Sequence, residues 1–165
     1  MSVLASIREE SKENRESVST TVNRLLYEHV EHRVINLPSD FIVMPKAVLA
    51  ELLSRVPEEH LRQLARRDAD KFGKRAVLQR HSELTAEGIA GFLENWAERG
   101  GHGDYRLTVE GGNKRITILH DLGIAYSTYV AAFEEALFQM AGVGLRVTTT
   151  DGAVISELLS KQPNA

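Results

Sequence analysis

The sequence predicts an α+β protein, and two observations carry that prediction. Apolar residues recur every three or four positions through much of residues 1–100, which is typical of helices with one buried face. From Tyr105 onward, apolar residues alternate in four short runs. These runs are joined in pairs by Gly111-Gly112-Asn113 and by Asp151-Gly152, which are typical of hairpin turns. We therefore expect an N-terminal helical pair, a helical middle and a C-terminal β-β-α-β-β antiparallel sheet with one covering helix.

Composition excludes several classes of protein. The chain has 165 residues, of which 42% are hydrophobic and 26% charged, and its net charge is −3. Neither wholesale disorder nor a uniformly cationic surface is expected from these values. The absence of cysteine excludes disulfides, thiolate metal sites and cysteine nucleophiles. No apolar run approaches the roughly 18 residues that a membrane span needs. We expect a soluble, cytoplasmic protein with no cofactor, no bound metal and no membrane partner.

Residues 1–36 predict a helical dimerisation segment with two helices, from Val3 to about Asn14 and from Val18 to about Val34. Between them, Ser17 is a predicted N-cap, because its hydroxyl can accept a hydrogen bond from the amide of Thr20. Neither helix can bury its apolar face within this segment, so a homodimer is expected. The predicted dimer contacts follow the apolar face of the second helix: Val22, Leu25, Leu26 and Val30.

Residues 37–160 predict an α+β domain, and residues 161–165 predict a disordered tail. The domain begins with a short apolar segment at 41–44. Its further predicted elements are helices at about 45–55, 58–79 and 86–99, strands at 105–109 and 115–119, a helix at 122–141, and strands at 145–149 and 153–155.

The long helix between the two predicted hairpins is rich in aromatic residues. Its Tyr126, Tyr129 and Phe133, together with Trp96 of the preceding helix, are interpreted as core. The same four side chains would alternatively line a pocket for an apolar ligand.

No catalytic motif is present that would identify a reaction. The sequence lacks a nucleophile elbow and a phosphate-binding glycine loop. His29 and His32 lie three residues apart, but their acidic neighbours indicate a solvated helix edge rather than a metal site. His120 is interpreted as a strand end and Asp121 as the cap of the helix that starts at Leu122. We expect a protein that is not an enzyme.

The stretch from Lys12 to Leu26 resembles the helical pair of ribbon-helix-helix proteins of the Arc/MetJ type. In that family two chains intertwine, the second helix holds a DNA phosphate at its N-terminus, and a preceding strand reads the major groove. Here only Met1 and Ser2 precede the first helix, so we expect that strand to be missing or truncated. A phosphate at the N-terminus of the second helix would meet Lys12, Arg15, Ser17, Ser19 and Thr20.

The remaining residues resemble an uncharacterised domain that follows such helical pairs in archaeal proteins. The resemblance is carried by residues 41–53, by Gly91 to Trp96 and by His120 to Gly123. In topology, the C-terminal hairpins and helix are also similar to 4-vinyl-reductase-like and haem-NO-binding sensor domains.

These observations lead to one expected function and one alternative. We expect a homodimeric, non-enzymatic transcriptional regulator that associates with double-stranded DNA. The alternative is a sensor that binds an apolar small molecule without contacting DNA.

Overall fold

The computed structural model describes residues 2–35, 44–111 and 113–159, and for residues 28–35 and 99 it describes the backbone alone. The chain divides into two compact units, and the boundary between them falls after Ile42. The predicted segment at 41–44, apart from Met44, and the predicted tail at 161–165 lie outside the described residues.

Within residues 2–35, the first unit contains two helices, α1 (Val3–Glu13) and α2 (Val18–Ile35). In its described part, the second unit contains five helices, a π-helical turn and four strands. They are α3 (Lys46–Ser54), α4 (Glu58–Asp68), the π-helical turn (Ala69–Gly73), α5 (Lys74–His81), α6 (Ala86–Arg99), β1 (Asp104–Glu110), β2 (Asn113–Leu119), α7 (Gly123–Met140), β3 (Gly144–Thr150) and β4 (Ala153–Leu159).

The four strands form one antiparallel sheet in the order β1-β2-β4-β3, which confirms the predicted α+β class. Each hairpin pairs its own two strands, and β2 pairs with β4 to join the hairpins. In that central pair, Ile116 lies opposite Ser156 and Ile118 lies opposite Val154. All four side chains are buried, so they form the centre of the inner face of the sheet.

The expectation of a single helix covering the sheet was wrong. The helix α6 also packs on the sheet, against β1, while α7 contacts β3 and β4 together with α3, α4 and the π-helical turn. On α7, residues 126–128 and 130–134 are all buried. Because consecutive residues of an α-helix point about 100° apart, these runs bury every direction around the helix. The helix α7 is therefore central to the unit rather than an amphipathic cover.

The predicted helix at 58–79 is interrupted by the π-helical turn. In a continuous α-helix, each step of four residues would rotate a buried position by about 40°. The wider π turn absorbs this drift, because its hydrogen bonds span five residues instead of four. As a result, residues four positions apart all face the core along this stretch. They are Leu61, Ala65, Ala69, Gly73 and Val77.

The predicted cap of α7 by Asp121 was also wrong. The helix begins at Gly123, one residue later than expected, and none of the described side chains forms a cap hydrogen bond at its N-terminus. The Asp121 carboxylate is exposed and accepts instead from Nζ of Lys46 at 3.0 Å, which lowers the pKa of Asp121. The side chain that contacts this end of the helix is His120, whose Nδ1 accepts from the N–H of Leu122 at 3.2 Å. Asp121→Ala therefore removes no helix cap, and no loss of stability is expected from that cause.

A fully buried carboxyl group lies on the side of α7 that faces the sheet. The hydroxyl of Ser156 donates a hydrogen bond to Oε2 of Glu134, whereas Oε1 has no hydrogen-bond partner among the described residues. Burial raises the pKa of Glu134 to about 8, and the charge of Glu135 adds to the rise while the Ser156 hydrogen bond opposes it. The side chain is therefore held in its neutral form at neutral pH.

We expect Glu134→Gln to remove a pH dependence of stability. Between the ordinary carboxyl pKa of 4.5 and about 8, the folded chain binds more protons at this site than the unfolded chain. The free energy of unfolding therefore falls as the pH rises through this window, by at most about 1.4 kcal/mol per pH unit. The variant should lose this slope and become more stable than the parent above about pH 8. Urea denaturation at a series of pH values measures both effects.

The matched control is Glu83→Gln, because Glu83 is exposed and lies outside the sheet interface. This variant should keep the parental slope. A parental slope in Glu134→Gln as well would contradict the inference that the buried carboxyl titrates between these pH values.

Candidate functional site

The turn between α1 and α2 is built by local hydrogen bonds. Arg15 has a left-handed backbone with φ of 54°, which reverses the chain after α1. Ser17 then accepts from the backbone N–H of Thr20 at 3.1 Å, and its hydroxyl lies 2.7 Å from that of Thr20. The predicted N-cap of the second helix is therefore confirmed.

A buried hydroxyl and an arginine fix the two helices against each other. The hydroxyl of Thr21 is buried, 3.2 Å from the carbonyl oxygen of Ser17 and 3.3 Å from Oε2 of Glu16. Arg24 of α2 pairs with Glu10 of α1 at 2.8 Å and with Glu16 of the turn at 3.5 Å. The positive charge of Arg24 thus offsets the charges of both carboxylates.

The five side chains predicted to meet DNA surround this turn, and all are exposed: Lys12, Arg15, Ser17, Ser19 and Thr20. The first turn of α2 contains no acidic residue, so its free amides and the positive end of the helix dipole are not offset by a carboxylate there. Within the described part of the chain, Lys12 and Arg15 form no ion pair. The chemistry of this surface suits an anion.

The predicted dimer residues differ in exposure. Leu26 is 58% exposed, whereas Val22 and Leu25 are half-buried, and the side chain of Val30 lies outside the described residues. Further apolar side chains on the same two helices are also open to solvent: Val3 at 78%, Leu4 at 51% and Tyr27 at 58%. The hairpin thus exposes several of its largest apolar groups.

The four aromatic residues for which the sequence left two interpretations, core or the lining of a ligand pocket, pack together in the second unit. The ring of Trp96 stacks on those of Phe133 and Tyr126, with centroids 5.5 Å and 6.4 Å apart, and Tyr129 stacks on Phe133 at 6.1 Å. The hydroxyl of Tyr129 donates to Asp68 at 3.1 Å. Trp96, Tyr126 and Phe133 are buried, so these rings pack against one another as part of the core and leave no pocket among themselves.

A serine and a histidine in this unit form a chain of hydrogen bonds that connects secondary-structure elements. Nδ1 of His120 accepts from a backbone N–H, so we assign its proton to Nε2, which donates to Oγ of Ser127 at 2.9 Å. The Ser127 hydroxyl, which is fully buried, donates in turn to the carbonyl oxygen of Thr150 at 2.6 Å. Burial lowers the pKa of His120. This chain of hydrogen bonds ties the start of α7 to the end of β3.

The sequence did not predict a cleft between α6 and the inner face of the sheet. Its volume is about 430 Å³, and its lining includes Ala86, Ala90 and Gly91 of α6 and Tyr105 and Leu107 of β1. Ala86 and Ala90 lie four residues apart on α6, and Gly91 follows directly. These small residues are the signal in the sequence that could have indicated a gap beneath this helix. Among the residues that the structure describes, no group of three or more metal-ligating side chains is present.

Nothing matches the chain in comparisons with protein-family models and with curated proteins. Among the described helices, none combines the length and the apolar composition that a membrane crossing requires. The sites above are therefore interpreted from their own geometry.

We expect Arg15→Gly to stabilise the first unit. Glycine adopts a positive φ without the steric cost that arginine meets, so the gain should be about 0.5–1 kcal/mol after the greater chain entropy of glycine in the unfolded state is subtracted. Chemical denaturation measures the change in the free energy of unfolding.

The matched comparison is Ser82→Gly, at the other described non-glycine position with a positive φ, 60°. It should give a gain of similar size in the second unit. A loss of stability in Arg15→Gly would show that the arginine side chain holds the turn by a contact that outweighs its backbone strain.

Proposed function

We propose that the chain is a non-enzymatic homodimer that binds double-stranded DNA as a transcriptional regulator. The observation that carries this proposal is the α1–α2 hairpin. It exposes apolar side chains that a second copy could cover. At the start of α2 it exposes the Ser17 cap together with two cations, Lys12 and Arg15.

The dimer is supported by the exposed apolar groups of the hairpin. Leu4 and Leu26 are more than half exposed, and Tyr27 is as open as Leu26. Full burial of a large apolar side chain contributes about 1.5–3 kcal/mol, so covering these groups and their symmetry mates favours association by several kcal/mol before entropic costs. A symmetric dimer uses each of these positions twice.

DNA binding is supported by the chemistry at the start of α2. Free amides at a helix N-terminus, hydroxyls and nearby cations are the groups with which proteins hold DNA phosphates. Ser17 presents the cap, Ser19 and Thr20 add hydroxyls beside it, and Lys12 and Arg15 add positive charge. Such contacts position a protein on the duplex rather than read its sequence.

We expect Leu26→Asp to convert the dimer to a monomer. Because Leu26 is 58% exposed in the single chain, the substitution should leave the hairpin folded while placing a charge in the proposed interface. Sedimentation velocity at micromolar concentration measures the oligomeric state.

The control is Leu52→Asp, at an apolar position of α3 that is 51% exposed. It should leave the dimer intact. A parent protein that sediments as a monomer at that concentration would overturn the dimer proposal.

We expect DNA binding to weaken steeply with salt. With about four to six phosphate contacts per dimer, the slope of log K against log salt concentration should be roughly −4 to −5. Arg15→Gly removes one cation from each protomer and should reduce the slope by about 2 while leaving the protein at least as stable. Fluorescence anisotropy with a duplex from the upstream region of the gene, and with an unrelated duplex of equal length, measures the affinities.

Ser82→Gly serves again as the control, because it makes the same kind of backbone change without removing a charge. It should keep the parental slope. Absence of binding at low salt, or an affinity that does not change with salt concentration, would contradict the proposal that the protein binds DNA.

The second candidate function is a small-molecule sensor without DNA contact, and the cleft beneath α6 favours it. Under this alternative, Leu26→Asp should still convert the dimer to a monomer. Neither of the two duplexes should bind the protein in the anisotropy experiment.

A further inference from the structure

The strand β1 lies at one edge of the sheet, because the strand order is β1-β2-β4-β3. In an antiparallel sheet, every second residue of an edge strand points its backbone N–H and C=O groups away from the neighbouring strand. Bulges and prolines commonly protect such an edge from further pairing. The register of β1 with β2 is continuous from Asp104 to Glu110, and the strand contains no proline. Neither form of protection is therefore present in β1.

The side chains of β1 are open to solvent on both faces of the sheet. On the face that α6 covers in part, Leu107 is 46% exposed and Val109 is 62% exposed. On the opposite face, Arg106, Thr108 and Glu110 are exposed. A strand paired along this edge would therefore remove apolar surface of Leu107 and Val109 from water.

Two opposite charges on β1 have no partner within the described part of the chain. Arg106 and Glu110 form no ion pair with any residue that the structure describes, and each lies opposite an uncharged residue of β2. The other edge strand, β3, differs in this respect. Its single charged residue is Arg146, which pairs with Glu157 of β4 at 3.7 Å. Of the two edges, β1 is therefore the one with unpaired charges of both signs.

The spacing of these charges makes β1 complementary to itself. Two antiparallel copies related by a twofold axis pair so that each side chain keeps its own face of the sheet. When Thr108 lies opposite Thr108 of the second copy, Arg106 of each copy lies opposite Glu110 of the other. On the other face, Leu107 of each copy then lies opposite Val109 of the other. This register therefore gives two ion pairs on one face and two apolar pairs on the other.

The other symmetric registers are less favourable. An axis at Leu107 would place Asp104 opposite Glu110 twice, and an axis at Arg106 would place two arginines opposite each other, so both set like charges together. An axis at Tyr105 or at Val109 would pair only three residues of each β1. The register centred on Thr108 is thus the one that pairs opposite charges over most of the strand.

We propose that β1 is an interaction surface for a second copy of this chain, paired antiparallel with Thr108 opposite Thr108. The two sheets of four strands would then form one continuous sheet of eight. Opposite charges and apolar residues that face each other across strands both stabilise such pairing. Because the two copies use the same edge, neither β1 remains open to further strands. This interface belongs to the second unit and does not depend on dimerisation or DNA binding by the first.

Disulfide crosslinking tests the proposal on the full chain, which contains no cysteine of its own. Directly opposed residues of an antiparallel pair have Cα atoms about 4.5–5.5 Å apart, which is within the range of a disulfide. Thr108→Cys at micromolar concentration should therefore form a crosslinked dimer under oxidised glutathione, as measured by non-reducing electrophoresis. The control is Thr148→Cys, at an exposed threonine of β3, which should remain uncrosslinked over the same time.

An exchange of charges in the Thr108→Cys chain tests the register. Arg106→Glu would place two glutamates opposite each other at two positions of the dimer, so crosslinking should slow by about tenfold. Adding Glu110→Arg to that variant places opposite charges together again and should restore the rate. Both side chains are exposed, so neither substitution disturbs the core.

Several results would overturn the proposal. They are equal crosslinking of Thr108→Cys and Thr148→Cys, no crosslinking of either, or a rate that Arg106→Glu leaves unchanged or that Glu110→Arg fails to restore. The crosslink through Thr108→Cys is also expected in a chain that carries Leu26→Asp, and its loss there would contradict an interface that belongs to the second unit alone. The hairpin dimer can fail its own test while this crosslink still forms, so failure of one proposal is distinguishable from failure of the other.

Discussion

Burial of α7 on every side is the constraint on which the second unit depends. A helix that has no solvent-facing direction over most of its length needs a sheet and several helices around it. The alanines at 131 and 132 and the small polar residues at 127 and 128 are compatible with this, because short side chains let neighbours approach closely. The aromatic side chains of α7 fill the space that remains. The ring of Phe133 stacks with those of Trp96 and Tyr129 and lies tilted against that of Phe92.

The same constraint explains why polar groups lie inside this core. A helix surrounded by protein has to satisfy its polar side chains with partners from the elements around it. Glu134 meets the hydroxyl of Ser156 on β4, Tyr129 meets Asp68 of α4, and Ser127 meets the end of β3. Each bond has one defined partner and direction, so these contacts specify how the sheet and α4 are oriented around α7.

The features that the sequence predicted correctly depend on local chemistry. Gly111, with φ of 57°, supports the turn of the first hairpin, and Ser17 caps α2 through an amide three residues away. The features that it missed depend on partners distant in the chain. Asp121 has a capping residue's position but pairs with Lys46, and the cleft under α6 exists because small residues there face strands that begin after Arg99. No local pattern encodes such pairings.

The π-helical turn determines which changes in length this stretch of the chain tolerates. Such a turn holds one residue more than an α-helical turn without rotating the helix beyond it. After loss of one residue between positions 69 and 73, an uninterrupted α-helix would place Val77 seven residues beyond Ala69, within about 20° of the same face. Loss of a residue between positions 73 and 77 would instead rotate Val77 by about 100° and remove it from the interior. Over evolutionary time, a single deletion is therefore best accommodated in this turn, whereas the helices on either side of it keep their lengths.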